Sequence, residues 1–239
     1  MRYWLVMPAA GASRRFGGEG VKQHAALAGR TVLECSLQLF VEDERCAGVA
    51  LALAPAASAD KALRARLAPK VVTMAGGTRR CDSVWAALSA LAGRAAAQEW
   101  VLVHDAARPC LSAADLERLL QAGTNHAVGA LLAAPVTDTL KRADEKLNCE
   151  CTVNRESLWR ALTPQMFRYG PLCAALRAAI DAGREPTDEA QAMEWQGGQA
   201  LLVAAQDSNI KITDRQDLAV AAALLGERRN GAVASKVAG

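Results

Sequence analysis

Short apolar runs of strand length, bounded by glycine, proline or charged residues, recur along this chain. Segments with helical periodicity and helix start signals separate them. Strands that are apolar throughout are typical of a parallel sheet that is covered on both faces. The alternation therefore predicts an α/β fold with a doubly wound, mostly parallel sheet. The predicted strands cover residues 3–9, 48–55, 70–76, 100–106, 129–136 and 200–205.

Helix start signals lie between these runs. The stretch from Thr31 to Glu34, TVLE, has the spacing of a capping box, and Ser112 precedes an amphipathic segment. Both features predict helices that connect neighbouring parallel strands. Further helices are predicted from Asp82 to Gly93, from Thr187 and from Thr213.

Residues 137–160 depart from the alternation, because two β-prone segments flank a polar, turn-like ADEKLN stretch. This pattern predicts a β-hairpin outside the main sheet. A lone hairpin is only marginally stable in water, so we expect it to pack on another subunit as a dimerisation arm. We expect residues 1–225, which include the hairpin, to form a single domain. Residues 226–239 lack an apolar face, which predicts a flexible tail.

Composition limits the classes of function. The formal net charge of +3 is too small for general binding to nucleic acid or membranes, so any basic site must be local. Seven cysteines form an odd set without a C-x-x-C pair, and only three histidines could help to complete a metal site. The sequence shows no signal peptide and no apolar run of membrane-spanning length. We therefore expect a cytoplasmic protein with reduced thiols.

The loop after the first strand, PAAGASRRFGGEGVKQ at residues 8–23, combines glycines with two arginines and a lysine. Phosphate binds to backbone N–H groups and to cationic side chains, so the loop predicts a phosphate site. It contains neither G-x-x-x-x-G-K-[ST] nor G-x-G-x-x-G, which argues against P-loop ATPases and Rossmann oxidoreductases. Taken alone, such a loop is equally typical of a solvated surface turn.

Two later stretches strengthen the prediction of a ligand site. AGGTRRCDSV at 75–84 places two glycines and two arginines after a strand, at a helix start whose N–H groups can bind an anion. VLVHDAARP at 101–109 brings Asp105 to the carboxyl end of a buried strand, where open α/β sheets bind ligands, with Arg108 nearby. An ordinary turn and a capping aspartate are the structural alternatives. His104 is left out of the predicted chemistry, because no partner lies at metal-ligand spacing.

Several stretches together resemble one known family in order and spacing over nearly the whole chain. This is the 2-C-methyl-D-erythritol 4-phosphate cytidylyltransferase family of the non-mevalonate isoprenoid pathway. The resemblance implies a homodimeric enzyme that uses Mg²⁺, transfers CMP from CTP to methylerythritol phosphate and releases pyrophosphate. The stretches are PAAGASRRF with VKQ, AGGTRRCDSV, VHDAARP, PVTDTLKR, LTPQMF, TDEA and NIKIT-x-x-DL.

The resemblance also implies roles for single residues. Cations would stabilise the negative charge that develops on the transferred phosphate and the departing pyrophosphate. Asp105 would meet the acceptor's hydroxyls or a Mg²⁺ on the triphosphate; hydroxyl binding is preferred, because phosphates and water often supply most Mg²⁺ ligands. The implied catalytic residues are Arg15, Lys22, Arg155 and Lys211. The implied nucleotide-binding residues are Ala10, Gly11, Ala12, Gly77, Ser83 and Ala106. The implied acceptor-binding residues are Asp105, Arg108, Thr139, Arg155, Thr163 and Lys211, with Thr139 and Arg155 from the neighbouring subunit's hairpin.

Two other functions stay open at this point. A cytidylyltransferase for another polyol phosphate, such as ribitol 5-phosphate, would share the CTP half of the pattern and differ around residues 139–163. A non-catalytic nucleotide-binding regulator would have no reason to keep the cations and Asp105 together. The chain departs from the family pattern at Ser13, usually glycine, and at Val21, usually proline. We expect these changes to loosen the loop without changing the reaction.

Overall fold

Strands and helices alternate along most of the chain in the computed structural model. The structure describes residues 1–11, 16, 22–58, 61–67, 69–206 and 208–237, with only the backbone of residues 61, 62, 64 and 229–237. The strands are β1 (Tyr3–Ala9), β2 (Ala26–Leu27), β3 (Arg30–Thr31), β4 (Cys46–Leu53), β5 (Val71–Ala75), β6 (Trp100–Val103), β7 (Gly129–Pro135), β8 (Leu140–Ala143), β9 (Cys149–Val153), β10 (Trp159–Arg168) and β11 (Leu201–Ala204). The helices are α1 (Val32–Glu42), α2 (Pro55–Ser58), α3 (Lys61–Arg66), α4 (Arg80–Ser89), α5 (Ala113–Thr124), α6 (Tyr169–Asp181), α7 (Glu189–Glu194) and α8 (Gln216–Val237), with a 3₁₀ turn at Lys22–His24.

Seven strands form the main sheet, in the order β11-β7-β10-β6-β1-β4-β5. Strand β10 runs antiparallel to both of its neighbours, whereas every other adjacent pair is parallel. The predicted α/β class with a mostly parallel sheet is therefore confirmed. All six predicted strands are present, with ends within three residues of the predicted ones.

Helices cover both faces of this sheet. Alternate residues of β1 point to opposite sides: Leu5 and Met7 pack against α1 and α5, and Val6 packs against α4, α6 and α7. Large side chains such as Phe40 on α1 and Leu172 on α6 are completely buried in the two resulting cores. The fold is thus a doubly wound sandwich of helix, sheet and helix, as the apolar strands predicted.

Strand β10 was missed by the sequence analysis. In its stretch WRALTPQMFR, Pro164 and the polar Gln165 interrupt the apolar run that would predict a buried strand. Gln165 is nevertheless buried in the centre of the sheet, opposite Val103. Its side-chain amide bonds to the start of α7, donating to Asp188 (2.9 Å) and accepting from the N–H of Ala190 (2.8 Å). These hydrogen bonds replace those that the Gln165 amide would make to water, so this polar side chain can be buried in the core.

Capping residues begin several helices where the sequence predicted. Thr31 caps α1 in a capping box with Glu34, and the Ser112 hydroxyl accepts a hydrogen bond from the Asp115 N–H to cap α5. Helix α4 begins two residues before the predicted Asp82, which is the third residue of the helix.

Helix α8 continues to Val237, so the backbone of the predicted tail is helical up to that residue. The flexibility of this segment and the limits of the single domain stay predictions. Within the described ranges, no helix combines the length and the apolar character that crossing a bilayer would need.

The predicted hairpin is present as a separate antiparallel pair, β8 and β9. Most of its side chains are exposed, and Leu147 in its turn is 86% exposed. Trp159 and Arg160, which the sequence analysis assigned to the hairpin, belong instead to β10 of the main sheet. A role for the hairpin in dimerisation stays a prediction.

Candidate active site

A cavity of about 280 Å³ lies at the carboxyl ends of β1, β5 and β6. The loops that follow these strands form its walls, together with the segment after β11. Open α/β sheets bind ligands at this edge. The lining includes Ala10, Gly11, Lys22, Gln23, Gly77, Thr78, Arg79, Arg80, Ser83, Asp105, Ala106, Ala107, Lys211 and Thr213.

The loop after β5 packs so closely that it requires glycine. A Cβ on Gly76 would lie 2.6 Å from the Ala10 Cβ, and a Cβ on Gly77 would lie 2.3 Å from the Asp82 Cβ. The N–H of Gly77 donates to the Ser83 hydroxyl (3.2 Å), which fixes this loop to α4. Arg79 forms a two-pronged ion pair with Asp82 (2.6 and 3.0 Å), which also joins the end of the loop to the first turn of α4.

The loop after β1 is anchored at both of its described ends. The buried Gln23 amide donates to the carbonyl oxygens of Ala9 (2.7 Å) and Gly11 (3.2 Å). Phe16 is buried in a small apolar cluster with Ile212, next to Lys211. These contacts hold the start of the loop against the cavity wall. The predicted site residues Ala12 and Arg15, and the variant positions Ser13 and Val21, lie outside the described residues.

Asp105 is the centre of a cluster of cations. Its Oδ1 pairs with Arg80 at 3.2 Å, and its Oδ2 lies 2.8 Å from the Lys211 Nζ and 3.7 Å from the Arg108 Nε. Burial acts to raise the pKa of Asp105, but the charges of Arg80, Lys211 and Arg108 outweigh it and hold the pKa well below its ordinary value. The carboxylate is therefore ionised throughout the physiological pH range.

Arg80 joins Asp105 to a second carboxylate, that of Glu189. The guanidinium donates to both oxygens of Glu189 (2.7 and 3.0 Å) and, through its Nε, to Asp105 (3.2 Å). Burial would lower the pKa of Arg80, but the two carboxylates outweigh it and raise the pKa above its ordinary value. The Glu189 side chain is only 1% exposed, so its carboxylate lies behind the part of the cavity wall that Arg80 forms.

A chain of hydrogen bonds beneath the cavity orients the peptide of Asp105. The Arg108 carbonyl oxygen can only accept, so His104 donates to it from Nε2 (3.0 Å). His104 Nδ1 then accepts from the Thr163 hydroxyl (3.0 Å), whose oxygen accepts from the N–H of Asp105 (3.1 Å). Complete burial lowers the pKa of His104 to about 4, so the ring is neutral and keeps this tautomer.

The segment that carries Lys211 is tied to the same loop. The N–H of Ile212 donates to the Ala107 carbonyl oxygen (2.8 Å), and the Arg108 guanidinium donates to the Asn209 carbonyl oxygen (2.7 Å). Burial lowers the pKa of Arg108, partly offset by Asp105, and its buried Nε has no hydrogen-bond partner among the described residues. Two cations are thus held close to Asp105 by main-chain contacts.

Most of the described residues that the sequence analysis assigned to the site lie together. Arg108 and Thr163 lie directly beneath the cavity, bonded to its walls. Thr139 and Arg155 are exposed on the hairpin segment, where Arg155 bonds to the Thr137 carbonyl, and they do not line this chain's cavity. Those that line it are Ala10, Gly11, Lys22, Gly77, Ser83, Asp105, Ala106 and Lys211.

Several residues of the site were missed by the sequence analysis. Arg79, Arg80 and Gln23 line the cavity, and Glu189 and His104 support it from behind. All five belong to stretches that the sequence analysis quoted, so their motifs were visible. What the sequence did not reveal is their pairing, since Arg80 and Glu189 are 109 positions apart.

The described residues do not fit a resident metal site. In the described part of the chain, no group of three or more His, Cys, Asp and Glu side chains is arranged to hold a metal ion. Asp105 is the candidate ligand, but each of its oxygens already pairs with a cation. A divalent ion bound directly to Asp105 would be repelled by these neighbouring charges.

A mostly parallel α/β sheet with a cationic cavity at its carboxyl edge is typical of enzymes that act on phosphorylated ligands. Comparison with known proteins identifies the family within this class. The family model described as IspD, 2-C-methyl-D-erythritol 4-phosphate cytidylyltransferase, matches residues 3–227. The chain therefore belongs to the 2-C-methyl-D-erythritol 4-phosphate cytidylyltransferase family and is a nucleotidyltransferase.

Individual relatives agree with the family model over almost their full length. The chain is 48% identical to the 2-C-methyl-D-erythritol 4-phosphate cytidylyltransferase of Halorhodospira halophila, covering 95% of this chain and 96% of the relative. It is similar to a crystal structure of 4-diphosphocytidyl-2C-methyl-D-erythritol synthase, with a TM-score of 0.80, 37% identity and coverage of 94% and 98%. The crystal structure of the Thermus thermophilus 2-C-methyl-D-erythritol 4-phosphate cytidylyltransferase gives a TM-score of 0.76, 33% identity and coverage of 92% and 97%.

Proposed function

We propose that this chain transfers the CMP group of CTP to 2-C-methyl-D-erythritol 4-phosphate. An oxygen of the acceptor phosphate attacks the α-phosphorus of CTP, and the bond from the α-phosphorus to the bridging oxygen breaks. Pyrophosphate leaves with the electron pair, and the product is 4-diphosphocytidyl-2-C-methyl-D-erythritol. The observation that carries the proposal is the cluster of Arg80, Arg108 and Lys211 around Asp105 at the carboxyl edge of the sheet, with Lys22 in the lining of the same cavity.

Two sides of the cavity suit the two substrates. The glycine loop with Gly77 and Ser83 offers backbone groups and a hydroxyl to the cytosine, and Ala106 would border the ribose. Lys22, with Arg15, would stabilise the charge on the α-phosphate and the leaving pyrophosphate. Preorganised cations in a partly water-excluded site stabilise such charge effectively.

The acceptor would bind on the side of Asp105 and Lys211. The Asp105 carboxylate would accept hydrogen bonds from the acceptor's hydroxyls, and Lys211 and Arg108 would pair with its phosphate. The Thr163 hydroxyl already bonds to His104 and Asp105, so we propose that it orients the Asp105 peptide as well as lying near the acceptor. Thr139 and Arg155 lie outside this chain's own cavity lining, which supports their contribution from the hairpin of a second subunit.

We propose that Mg²⁺ enters as part of the Mg·CTP substrate. The triphosphate and water would supply its ligands, because the carboxylate of Asp105 is already paired with cations. The ion would neutralise charge on the triphosphate. Chelation by excess EDTA should therefore abolish turnover, and Mn²⁺ should restore part of it.

Release of pyrophosphate tests the proposed function directly. The purified chain is incubated with Mg·CTP and 2-C-methyl-D-erythritol 4-phosphate, and pyrophosphate is measured with a coupled assay. We expect turnover with this pair and a much lower kcat/KM with ATP or GTP, because a purine would not fit a pyrimidine pocket. Ribitol 5-phosphate is the matched alternative acceptor. Equal turnover with ribitol 5-phosphate would contradict the proposed acceptor, and no turnover with any acceptor would contradict the reaction.

A further inference from the structure

We propose that Glu189 is a positioning residue for the acceptor side of the active site and acts on Asp105 through Arg80. This inference rests on the proposed function, in which Asp105 receives the acceptor's hydroxyls. Glu189 lies behind Arg80 and is 1% exposed, so any effect on the substrate must pass through other side chains. Arg80 provides this connection, because its guanidinium bonds to Glu189 and Asp105 at the same time.

Glu189 is itself held firmly in place. It is the first residue of α7, directly after the capping residue Asp188. Gln165 of β10 binds both sides of it, donating to Asp188 (2.9 Å) and accepting from the N–H of Ala190 (2.8 Å). Since Gln165 lies opposite Val103 in the sheet, the start of α7 with Glu189 is fixed relative to β6, the strand that Asp105 follows.

The geometry of the Arg80 side chain shows what Glu189 would control. Both terminal nitrogens of the guanidinium bond to Glu189 (2.7 and 3.0 Å), and a two-pronged pair of this kind fixes the plane of the guanidinium. The Nε–Nη2 edge then faces Asp105, with both nitrogens 3.2 Å from Oδ1. Without the charge of Glu189, the guanidinium would be free to turn its Nη1–Nη2 edge to Asp105. The Asp105 carboxylate would then have less capacity to bind the acceptor's hydroxyls.

A purely structural role for the Arg80–Glu189 pair makes a different prediction. Buried ion pairs often contribute little net stability compared with apolar residues of similar size. If the pair only joined α4 to α7, its loss would affect both substrates alike through the stability of the fold. If Glu189 positions Arg80, its loss affects the acceptor selectively.

The first test replaces the charge of Glu189 and keeps its shape. For Glu189→Gln we expect the KM for methylerythritol phosphate to rise on the order of tenfold, while the KM for CTP changes by less than about twofold. Glu194→Gln is the matched control, because Glu194 is exposed on the same helix, and we expect wild-type values. Arg80→Lys, which keeps the charge but cannot form the two-pronged pair, should show the same selective change if Glu189→Gln does not fold.

A double-mutant cycle then tests whether the effect passes through Arg80. The effects of Glu189→Gln and Asp105→Asn on the kcat/KM for the acceptor should not be independent: the double variant should differ from the product of the two single effects by about threefold or more. In chains that also carry Arg80→Met, this difference should vanish. Coupling that is absent, or that persists without Arg80, would overturn the inference, as would equal changes in both KM values. A wild-type chain without turnover would overturn the proposed function, and this inference with it; a working wild-type enzyme with an uncoupled cycle would overturn this inference alone.

Discussion

Single residues give the cavity its excess of positive charge. Around Asp105, the cations Arg80, Arg108 and Lys211 outnumber the two carboxylates of Asp105 and Glu189, even before Lys22 is considered. Partial burial limits screening by salt, so this excess acts over the whole cavity. An arrangement of this kind attracts anions and is suited to a reaction between two phosphorylated substrates.

Lys22 is the described residue on which we expect turnover to depend most. For Lys22→Ala we expect kcat to fall on the order of 10²–10³, because one preorganised donor to the transition state is lost. Binding of CTP, measured by calorimetry, should stay within a few fold. Lys146→Ala, in the exposed turn of the hairpin, is the control and should keep wild-type kcat. Near-normal turnover of Lys22→Ala would remove Lys22 from the proposed catalytic residues.

His104 gives the stability of the fold a defined pH dependence. Burial lowers its pKa to about 4, whereas an unfolded histidine has a pKa near 6.5. Between these values the unfolded chain binds a proton that the folded chain does not. The free energy of unfolding should therefore decrease by roughly 3 kcal/mol from this residue as the pH falls from about 6.5 to about 4, with no further contribution below.

Urea unfolding at a series of pH values measures this effect. His104→Gln removes the titrating ring and keeps a donor for the Arg108 carbonyl, so its unfolding free energy should depend less on pH in this window. His24→Gln replaces an exposed histidine and controls for the substitution itself. If His104→Gln and the wild type lose stability in parallel between pH 6.5 and 4, the assignment of this pH dependence to His104 is wrong.

At the scale of elements, the loop after β5 and helix α4 form one unit of the site. The loop is joined to the helix by Ser83 and by the Arg79–Asp82 pair, and two glycines allow close approach. A change in the loop therefore moves the helix start, and with it Arg80 and the charges around Asp105.

Gly77→Ala tests whether the loop after β5 must pack closely against α4. Its Cβ would lie 2.3 Å from the Asp82 Cβ, so we expect a loss of about 1–3 kcal/mol in unfolding free energy and weaker CTP binding. Gly226→Ala in helix α8 is the matched control, since a Cβ there would meet no described atom within 4 Å apart from its own helix backbone and chain neighbours, and stability should rise slightly. Unchanged stability and CTP affinity in Gly77→Ala would contradict the proposed packing of this loop.

The elements also show how far the sequence could predict the fold. Apolar runs such as Tyr3–Ala9 identify strands because both faces of the sheet are covered. Strand β10 was not predictable in this way, because Gln165 is satisfied by the distant start of α7. In the site, Asp105 and Lys211 could be predicted from sequence motifs. The Arg80–Glu189 pair could not, because it depends on a tertiary contact between distant segments.

At the scale of the whole molecule, the β8–β9 hairpin stands apart from the two packed cores of the described chain. It forms its own two-stranded sheet, separate from the main sheet, with mostly exposed side chains. Exposure of this kind fits the proposed homodimer, in which each hairpin contributes to the cavity of the other subunit.

Subunit mixing tests this shared site. Lys22→Ala and Arg155→Ala should each be nearly inactive alone, but in a mixed dimer one site combines the intact Lys22 of one chain with the intact Arg155 of the other. With random exchange about half of the dimers are mixed, so about a quarter of all sites should regain wild-type composition. Labelled subunits verify the exchange. No recovery of activity despite exchange would contradict the shared site and assign Arg155 to its own chain.

The position of β10 in the sheet has a consequence for synthesis of the protein. The block β6-β1-β4-β5 is complete once residue 103 has left the ribosome, whereas β7 pairs, within the described sheet, with β10 and β11, which are made later. Until Trp159–Arg168 emerges, the apolar strand Gly129–Pro135 therefore lacks both of these sheet neighbours. A nascent chain that pauses between these two strands therefore exposes a hydrophobic strand with unpaired edges, and exposure of this kind promotes aggregation.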